Sequence, residues 1–431
     1  MTMNERQGTN VQALRILIVG GGGREHALAW RCRAEGHEVH AAPGSEGIAE
    51  DATCHAVAAS DLAGLVALAD RLRPELVIVG PEQPLVDGLA DRLRAAGHAV
   101  LGPSAAAAEL EGSKAAAKAF MARHAIPTAR HVTATSLADA LAALSQFPAP
   151  PVVKASGLAA GKGVTVPETF AEAEAAIRSC LEGHVFGDAG ATVVLEERLR
   201  GEEASLFVLT DGERWSLLPP AQDHKRIFDG DAGPNTGGMG AYCPAPICDA
   251  GVLARAEAEI VAPTLAGLRA EGRPFVGVLF VGLMIDRGVP KVIEYNCRLG
   301  DPEAQPVLFG LDTPIARDFL AAARGELAPR RYAARPAASV VIAAAGYPGD
   351  TRPGATIRGL ERAAALPDVK VFHAGTRRGP DGWETRGGRV LGVCARGDDL
   401  RAALARAYAA VDRITVEGGQ HRRDIGARAL R

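Results

Sequence analysis

Two periodicities alternate over the first hundred residues. "LRILIVG" (14–20) is a continuous apolar run, the pattern of a strand buried on both faces. In "REHALAWRCRAEG" apolar positions recur at helical spacing as far as Gly36. "HEVHAA", "PELVIVGPE" and "HAVLG" repeat the strand pattern, and "DLAGLVALADRLR" and "LVDGLADRLRAAG" repeat the helical one. This strand–helix alternation predicts α/β architecture, an open, doubly wound parallel sheet. Ligands of such sheets bind beyond the carboxyl ends of the strands, which here carry "GGGGREH", "APGSEG" and "GPEQP".

The pattern then changes to α+β. "GPSAAAAELEGSKAAAKAFMARH" predicts two helices, and the proline of "AIPTAR" marks a linker. A compact stretch comes next: strand "PVVKA", a glycine loop, strand "GVTV", helix "TFAEAEAAIRSCL" and strand "TVVLEE". "ASLFVLTDG", "RWSLLPP", "FVGVLFVGLMIDRG" and "PKVIEYN" predict a larger sheet. After "GELAPRRYAARP" come strands "AASVVIAAAGYPG", "VKVFHAG" and "RVLGVCARG" and the helix "DDLRAALARAYAAVDRI". The expected division is a disordered extension (1–13), a doubly wound domain (14–111), a central domain (112–330) containing a small lid (about 126–197), and a C-terminal α+β domain (331–431).

Composition narrows the function. With 47% hydrophobic and 23% charged residues, the chain matches ordinary globular proteins. Its net charge of −3 gives no support for a nucleic-acid partner. No apolar run approaches the ~18 residues of a membrane span, and the polar start "MTMNERQGTNVQALR" has no apolar signal region. The seven cysteines form no C-x-x-C pair, which argues against zinc or a disulfide framework and for a cytoplasmic location.

Several motifs carry chemistry. Gly20 and Gly22 would require a third glycine at Glu25 for a dinucleotide fingerprint, and no acid follows the second strand, so a nicotinamide cofactor is not expected. The strand–glycine–helix turn still aims N–H groups of Gly22, Gly23 and their neighbours at an anion, and Arg24 could add a guanidinium. "KASGLAAGKGV" fails the P-loop template, because Gly157 and Gly161 are one residue too close and Gly163 stands where a hydroxyl is needed. It can instead form a flap over a triphosphate, with glycines allowing close approach and Lys154 and Lys162 supplying charge. In "VVLEERLRGEEAS" two glutamates end a strand and could accept from an adenine amino group and a ribose hydroxyl. In "VIEYN", Glu294 and Asn296 lie two apart and share a sheet face. That oxygen pair suits magnesium on phosphates, and Arg298 extends the row. "QDHKRIFDGDAGPNTGGMGAY" packs charged residues beside a glycine-rich turn, as functional loops do.

In this order, a doubly wound domain, a lysine-bearing helix, a lid with a glycine flap, a glutamate hinge and a Glu-x-Asn strand, the chain resembles the ATP-grasp superfamily. "GGREHALAW", "LEGSKA", "QDHKR", "GPNTGGMGAY" and "NCRLGDPEAQ" together are similar to the phosphoribosylamine–glycine ligase family, over roughly residues 14–423. Gly21, Leu299 and Ala304 depart from that family's usual residues, and packing is the property they put in doubt.

The resemblance implies an ATP-dependent ligase of purine biosynthesis that joins glycine to 5-phosphoribosylamine through glycyl phosphate. The alternatives are another ATP-grasp carboxylate–amine ligase or a non-catalytic nucleotide sensor. It implies Mg²⁺ or Mn²⁺ on Glu294 and Asn296, and ATP on Lys114, Lys154, Gly161, Lys162, Gly163, Glu196, Glu197, Leu199 and Glu203. Arg298, Lys225 and Asp223 would serve the chemistry. Gly22, Gly23, Arg24, Glu25, Gly80, Pro81 and Glu82 would take the phosphosugar. Asn235, Thr236, Gly238, Met239, Gly240, Asp301 and Glu303 would line the glycine and acceptor side. The partners are then these small molecules alone, with no membrane or nucleic acid, and the protein is expected to be a monomer.

Overall fold

In the computed structural model, which describes residues 12–159, 163–183 and 185–430, the first unit is a five-stranded parallel sheet. Its strands run Thr53–Cys54, Glu38–Pro43, Arg15–Gly20, Leu76–Val79, Val100–Leu101 across the sheet. The order reverses between Arg15–Gly20 and Leu76–Val79, and at that switch point a crevice opens beyond the strand ends. Gly20–Gly22 and Gly80–Glu82 therefore lie side by side. The single helix expected over "LVDGLADRLRAAG" is two, Glu82–Val86 and Leu89–Ala95, because Gly88 takes a left-handed φ of 85° that breaks the first. Most of the extension, residues 1–11, lies outside the described residues.

The central domain has two sheets. Trp215–Leu217, Glu202–Asp211, Val276–Asp286 and Val289–Asn296 form an antiparallel four-stranded sheet. The lid is a second one, ordered His131–Ala134, Val193–Glu196, Val152–Ala155, Val164–Thr165, with helices Leu137–Ala143 and Phe170–Leu181 over a small core around Phe147, Ile177 and Leu195. The strand His131–Ala134 and the helix Leu137–Ala143 follow "AIPTAR" directly and belong to the lid, though neither is among the elements predicted for it. Among the described residues no helix is long and apolar enough to cross a membrane.

The C-terminal sheet does not respect the boundary near residue 330. Its strands, in order, are Gln222–Asp223, Gly240–Cys243, Ala337–Ala343, Arg389–Arg396 and Val369–His373. The first two come from the central segment, and Gly240 pairs with Val340. A hairpin from the middle of the chain is thus built into the last domain. A second small sheet, Thr376–Gly379, Gly382–Thr385, Thr356–Arg358 and Thr415–Val416, flanks it.

The first and last domains meet over buried histidines. His26 bonds Asp51 (3.2 Å) and accepts the backbone N–H of His373 (2.8 Å), while Lys370 pairs with the same Asp51 at 2.8 Å. The His373 ring stacks on Trp383 with centroids 4.2 Å apart. Burial, helped by the His26 and Lys370 charges, pushes the His373 pKa down to about 3. A histidine neutral in the fold and free to protonate when unfolded stabilises fully above pH ~6.5 and loses that contribution as the pH falls toward 3. Between pH 7.5 and 5.0 the wild-type protein should therefore lose about 2 kcal/mol more unfolding free energy than His373→Gln. Parallel denaturation profiles for the two proteins would contradict this.

Candidate active site

At the N-terminal strand ends, the glycines make room for a carboxylate. Glu25, three residues into helix Gly23–Ala34, accepts the Gly22 N–H at 2.7 Å. A Cβ at Gly20, where φ is 123°, would lie 2.6 Å from Glu25 Cγ, and one at Gly80 would strike the same carboxylate. Arg24 is buried; its Nε donates to Glu25 Oε1 (2.6 Å) and an Nη to the Leu299 carbonyl (3.2 Å). The helix N-terminus that the sequence offers to a ligand anion thus already carries a protein carboxylate, for the same reason any anion is favoured there. Arg24 is a tie to the central domain rather than a free guanidinium. Gly23 packs on Gln305, which a Cβ would approach to 2.7 Å. Pro81 and Glu82 remain half-buried at the crevice.

Opposite them, strand Val289–Asn296 presents the expected row. Tyr295 turns inward, its hydroxyl on Thr264 at 2.7 Å, so Glu294 and Asn296 share the other face. One buried carboxylate, Glu111, organises the end of this strand. It accepts the Cys297 N–H (2.7 Å) and thiol (3.0 Å) on one oxygen and Arg298 (2.6 Å) on the other. The Asn296 amide is satisfied only with its nitrogen turned toward Tyr295 O (3.0 Å) and Glu111 (3.3 Å). Its carbonyl oxygen is thereby left to the site. Arg298 also donates to Glu82 at 3.1 Å, reaching across to the first domain.

Glu294 is held ionised. Burial alone would raise its pKa, but Lys225, Lys154 and Lys114 outweigh that and lower it. An ionised carboxylate beside a committed amide oxygen fits a hard divalent cation that takes its remaining ligands from phosphate and water. Among the described residues no set of three or more His, Cys, Asp or Glu could hold a metal without such help.

The lysines lie behind this row. Lys154 and Lys118, both buried, each sit 2.9 Å from a different oxygen of Glu196. Lys154 also donates to Ile293 O at 3.2 Å, and Lys114 to Gly157 O at 3.1 Å. The Glu196 carboxylate therefore lies between two ammoniums. Glu197 accepts the Arg130 N–H (3.2 Å), and Leu199 is half-buried in the hinge. Gly163 is buried at the base of the flap, its carbonyl accepting the Ala155 N–H at 2.8 Å. Gly161 and Lys162 lie outside the described residues.

The hairpin brings the last group. Lys225 pairs with Glu203 (2.9 Å) and lies 3.8 Å from Glu294. Burial opposes its charge, but Glu203, Asp223 and Glu294 raise its pKa well above the ordinary value. Asp223 and Glu303 are pushed toward their neutral forms: burial raises both pKa values, and Asp223 helps to push Glu303 up to about 7. Glu303 accepts from Ser205 at 3.1 Å. Thr236 bonds the Lys225 carbonyl through N (2.7 Å) and Oγ1 (2.8 Å), and its hydroxyl accepts the Gly238 N–H (2.9 Å). Met239 and Gly240 are buried in the stem, and Asn235 is half-buried at its edge. Arg389, from the C-terminal domain, donates to Gly237 O (2.6 Å) and Asp301 O (2.7 Å) and pairs with the Asp301 carboxylate (3.3 Å).

Family models match each part of this assembly: the phosphoribosylglycinamide synthetase N domain over residues 14–111, its ATP-grasp (A) domain over 112–304 and its C domain over 337–428. The chain belongs to the phosphoribosylglycinamide synthetase family of ATP-dependent ligases. It is 50% identical over 423 residues to a phosphoribosylamine–glycine ligase of Phenylobacterium zucineum, covering 97% of this chain and 100% of that one. It is 49% identical to one of Pseudomonas aeruginosa, covering 97% and 98%. The crystal structure of phosphoribosylamine–glycine ligase from Thermotoga maritima superposes with a TM-score of 0.84 at 33% identity, over 96% of this chain and 100% of that one. A biotin carboxylase from Campylobacter jejuni, with a TM-score of 0.73 at 16% identity over 95% and 93%, shares the fold.

Within this family architecture, Glu111, Lys118 and Arg389 hold candidate site residues in place, and sequence reasoning passed over all three. Lys118 follows Lys114 by four on helix Lys114–Arg123, a same-face spacing that could have flagged it. Glu111 ends an alanine-rich helix, and Arg389 opens an apolar strand, so neither carries a local signal. Removing Glu111 would take the shorter of two carboxylate contacts from a buried guanidinium and leave the Cys297 N–H without its acceptor. Glu111→Ala should cost about 3–5 kcal/mol of stability, as for breaking a buried ion pair. Urea unfolding measures it, and a loss below ~1 kcal/mol, the worth of an exposed pair, would refute the buried anchor.

Proposed function

We propose that the junction of the three domains is where this ligase binds ATP, glycine and 5-phosphoribosylamine. The chain ligates glycine to 5-phosphoribosylamine at the expense of ATP, a step of purine biosynthesis. The observation that carries the residue assignment is the pair Glu294 and Asn296 on one strand face, with Lys225 3.8 Å from Glu294 and Arg298, just past the strand's end, bonded to Glu82 of the first domain.

Lys114 and Lys154 stand where they can neutralise the nucleotide phosphates. Glu196 keeps Lys154 and Lys118 in place, leaving the hinge backbone around Glu197 and Leu199 to meet the base and Glu203 the ribose. Glu294 and Asn296 would hold Mg²⁺ or Mn²⁺, which when bound offsets charge developing on the transferred phosphoryl group. A carboxylate is a poor electrophile, and phosphorylation gives glycine a leaving group. Arg298 faces that acyl phosphate with Glu82 and Glu111 fixing its guanidinium. Lys225, firmly cationic, stabilises anions and removes no proton. Glu303, its pKa raised by burial and by Asp223, lines the acceptor side beside Ser205. Gly22, Gly23, Gly80 and Pro81 line the phosphosugar side, with Asp301 fixed by Arg389. The lid, including Gly163, excludes water that would hydrolyse the intermediate. In this reading the working unit is a cytoplasmic monomer.

The test is ADP formation with each substrate omitted in turn, which should require glycine and phosphoribosylamine together. In the same assay, Glu294→Gln keeps the side chain's shape and removes a charge. Its turnover should fall at least ~100-fold, as for loss of a transition-state charge contact. Near-normal turnover at saturating Mg²⁺ would remove Glu294 from the site.

A further inference from the structure

The hairpin that carries Asp223, Lys225 and the Asn235–Gly238 turn is gripped by a segment almost two hundred residues away in sequence. Arg422, only 1% exposed, donates to the Arg226 carbonyl (3.1 Å) and pairs with Asp231 (2.8 Å) and Asp424 (2.7 Å). Asp424 in turn accepts the Gly230 N–H (2.9 Å), and the Arg423 N–H reaches Asp229 (2.7 Å). Gly426 N–H donates to Nε2 of the buried His224 at 3.2 Å, gripping the stem next to Lys225. Arg428 adds a contact to Asp231 at 3.3 Å. Gly230 and Asp231 both hold left-handed backbone, with φ of 69° and 55°. For a non-glycine residue that conformation persists where surrounding contacts impose it.

We propose that residues 422–428 are a positioning strap for the acceptor side of the active site, with Arg422 as its positioning residue. The proposal rests on the functional reading above, in which the hairpin meets the glycine and phosphosugar end of the reaction. Domain packing alone does not call for this arrangement, since an apolar side chain fills a buried volume at less desolvation cost than an arginine. What an arginine adds is direction: two carboxylates and one carbonyl converge on one planar group. Because Thr236 hangs on the Lys225 carbonyl, a tip that loosens at 229–231 displaces both Lys225 and the Thr236–Gly238 turn.

The experiment compares the wild-type protein with Arg422→Met, Arg422→Lys and Asp424→Asn. Each substrate is varied in turn, and amide hydrogen exchange is followed by segment. The strap predicts that Arg422→Met raises the phosphoribosylamine KM by ~10-fold or more while the ATP KM moves by less than ~3-fold. It predicts faster exchange over 226–239 with the parallel sheet of the first domain unchanged. Arg422→Lys should recover part of the loss, and Asp424→Asn should show a smaller shift in the same direction. Should Arg422→Met not fold, Asp424→Asn decides on the same readouts. A folded variant with unchanged acceptor KM and unchanged hairpin exchange overturns the strap, as does an equal rise in all three KM values with exchange accelerated everywhere. A wild-type protein without glycine-dependent ADP formation would instead overturn the functional reading, and the exchange data would still judge the strap.

Discussion

One buried carboxylate sets the geometry on which the site depends. Glu111 receives the side chain of Asn296, the backbone and thiol of Cys297 and the guanidinium of Arg298, three consecutive residues. Burial raises its pKa, and Arg298 is the largest influence in the other direction. Among the described residues Arg298 is the carboxylate's one cationic partner, and an unpaired ion in such a place costs several kcal/mol. The pairing leaves the Asn296 oxygen and one face of Arg298 for ligands. Two residues on, Ser113 and Lys114 bind the base of the flap: the Lys114 N–H donates to Ser156 O at 2.8 Å. The same short segment thus joins the end of strand Val289–Asn296 to the turn at Ser156.

Around this anchor the charges divide into two classes. Glu294 and Lys225 are pushed deeper into their ionised forms by each other and their neighbours, and they supply fixed field. Glu303 and Asp223 are pushed toward the neutral form by burial, with the Asp223 charge adding to the effect on Glu303 and the Glu203 and Glu294 charges to that on Asp223. The structure keeps the two classes on adjacent elements: the ionised pair on Val289–Asn296 and beside the hairpin stem, the two carboxyls of raised pKa at Asp223 and at the start of helix Ala304–Gly310.

Features that rest on local patterning were legible in the sequence. The doubly wound sheet follows from apolar runs and helical spacing, and the shared face of Glu294 and Asn296 follows from strand alternation. The features that were not legible rest on partners distant in the chain. The sequence offers Arg24 and the glycine turn as an open anion site, but only the fold shows that Glu25 fills it and that Leu299 takes the guanidinium. Glu196 reads as a hinge acid until Lys118 and Lys154 close on it. The pairing of Gly240 with Val340 crosses a domain boundary that composition places near residue 330, and no periodicity within either segment announces it. Glu111 and Arg422 belong to the same class: each is an ordinary charge in its own stretch, and each owes its role to residues nearly two hundred positions away.

The central claim is that glycine becomes an acyl phosphate beside Arg298 before the sugar amine attacks. It is tested most directly by running the reaction with glycine labelled with ¹⁸O in its carboxylate. One carboxylate oxygen should leave with the phosphoryl group, so the inorganic phosphate released in each turnover should carry one ¹⁸O while the amide of the product keeps the other. Unlabelled phosphate alongside normal product formation would contradict the account.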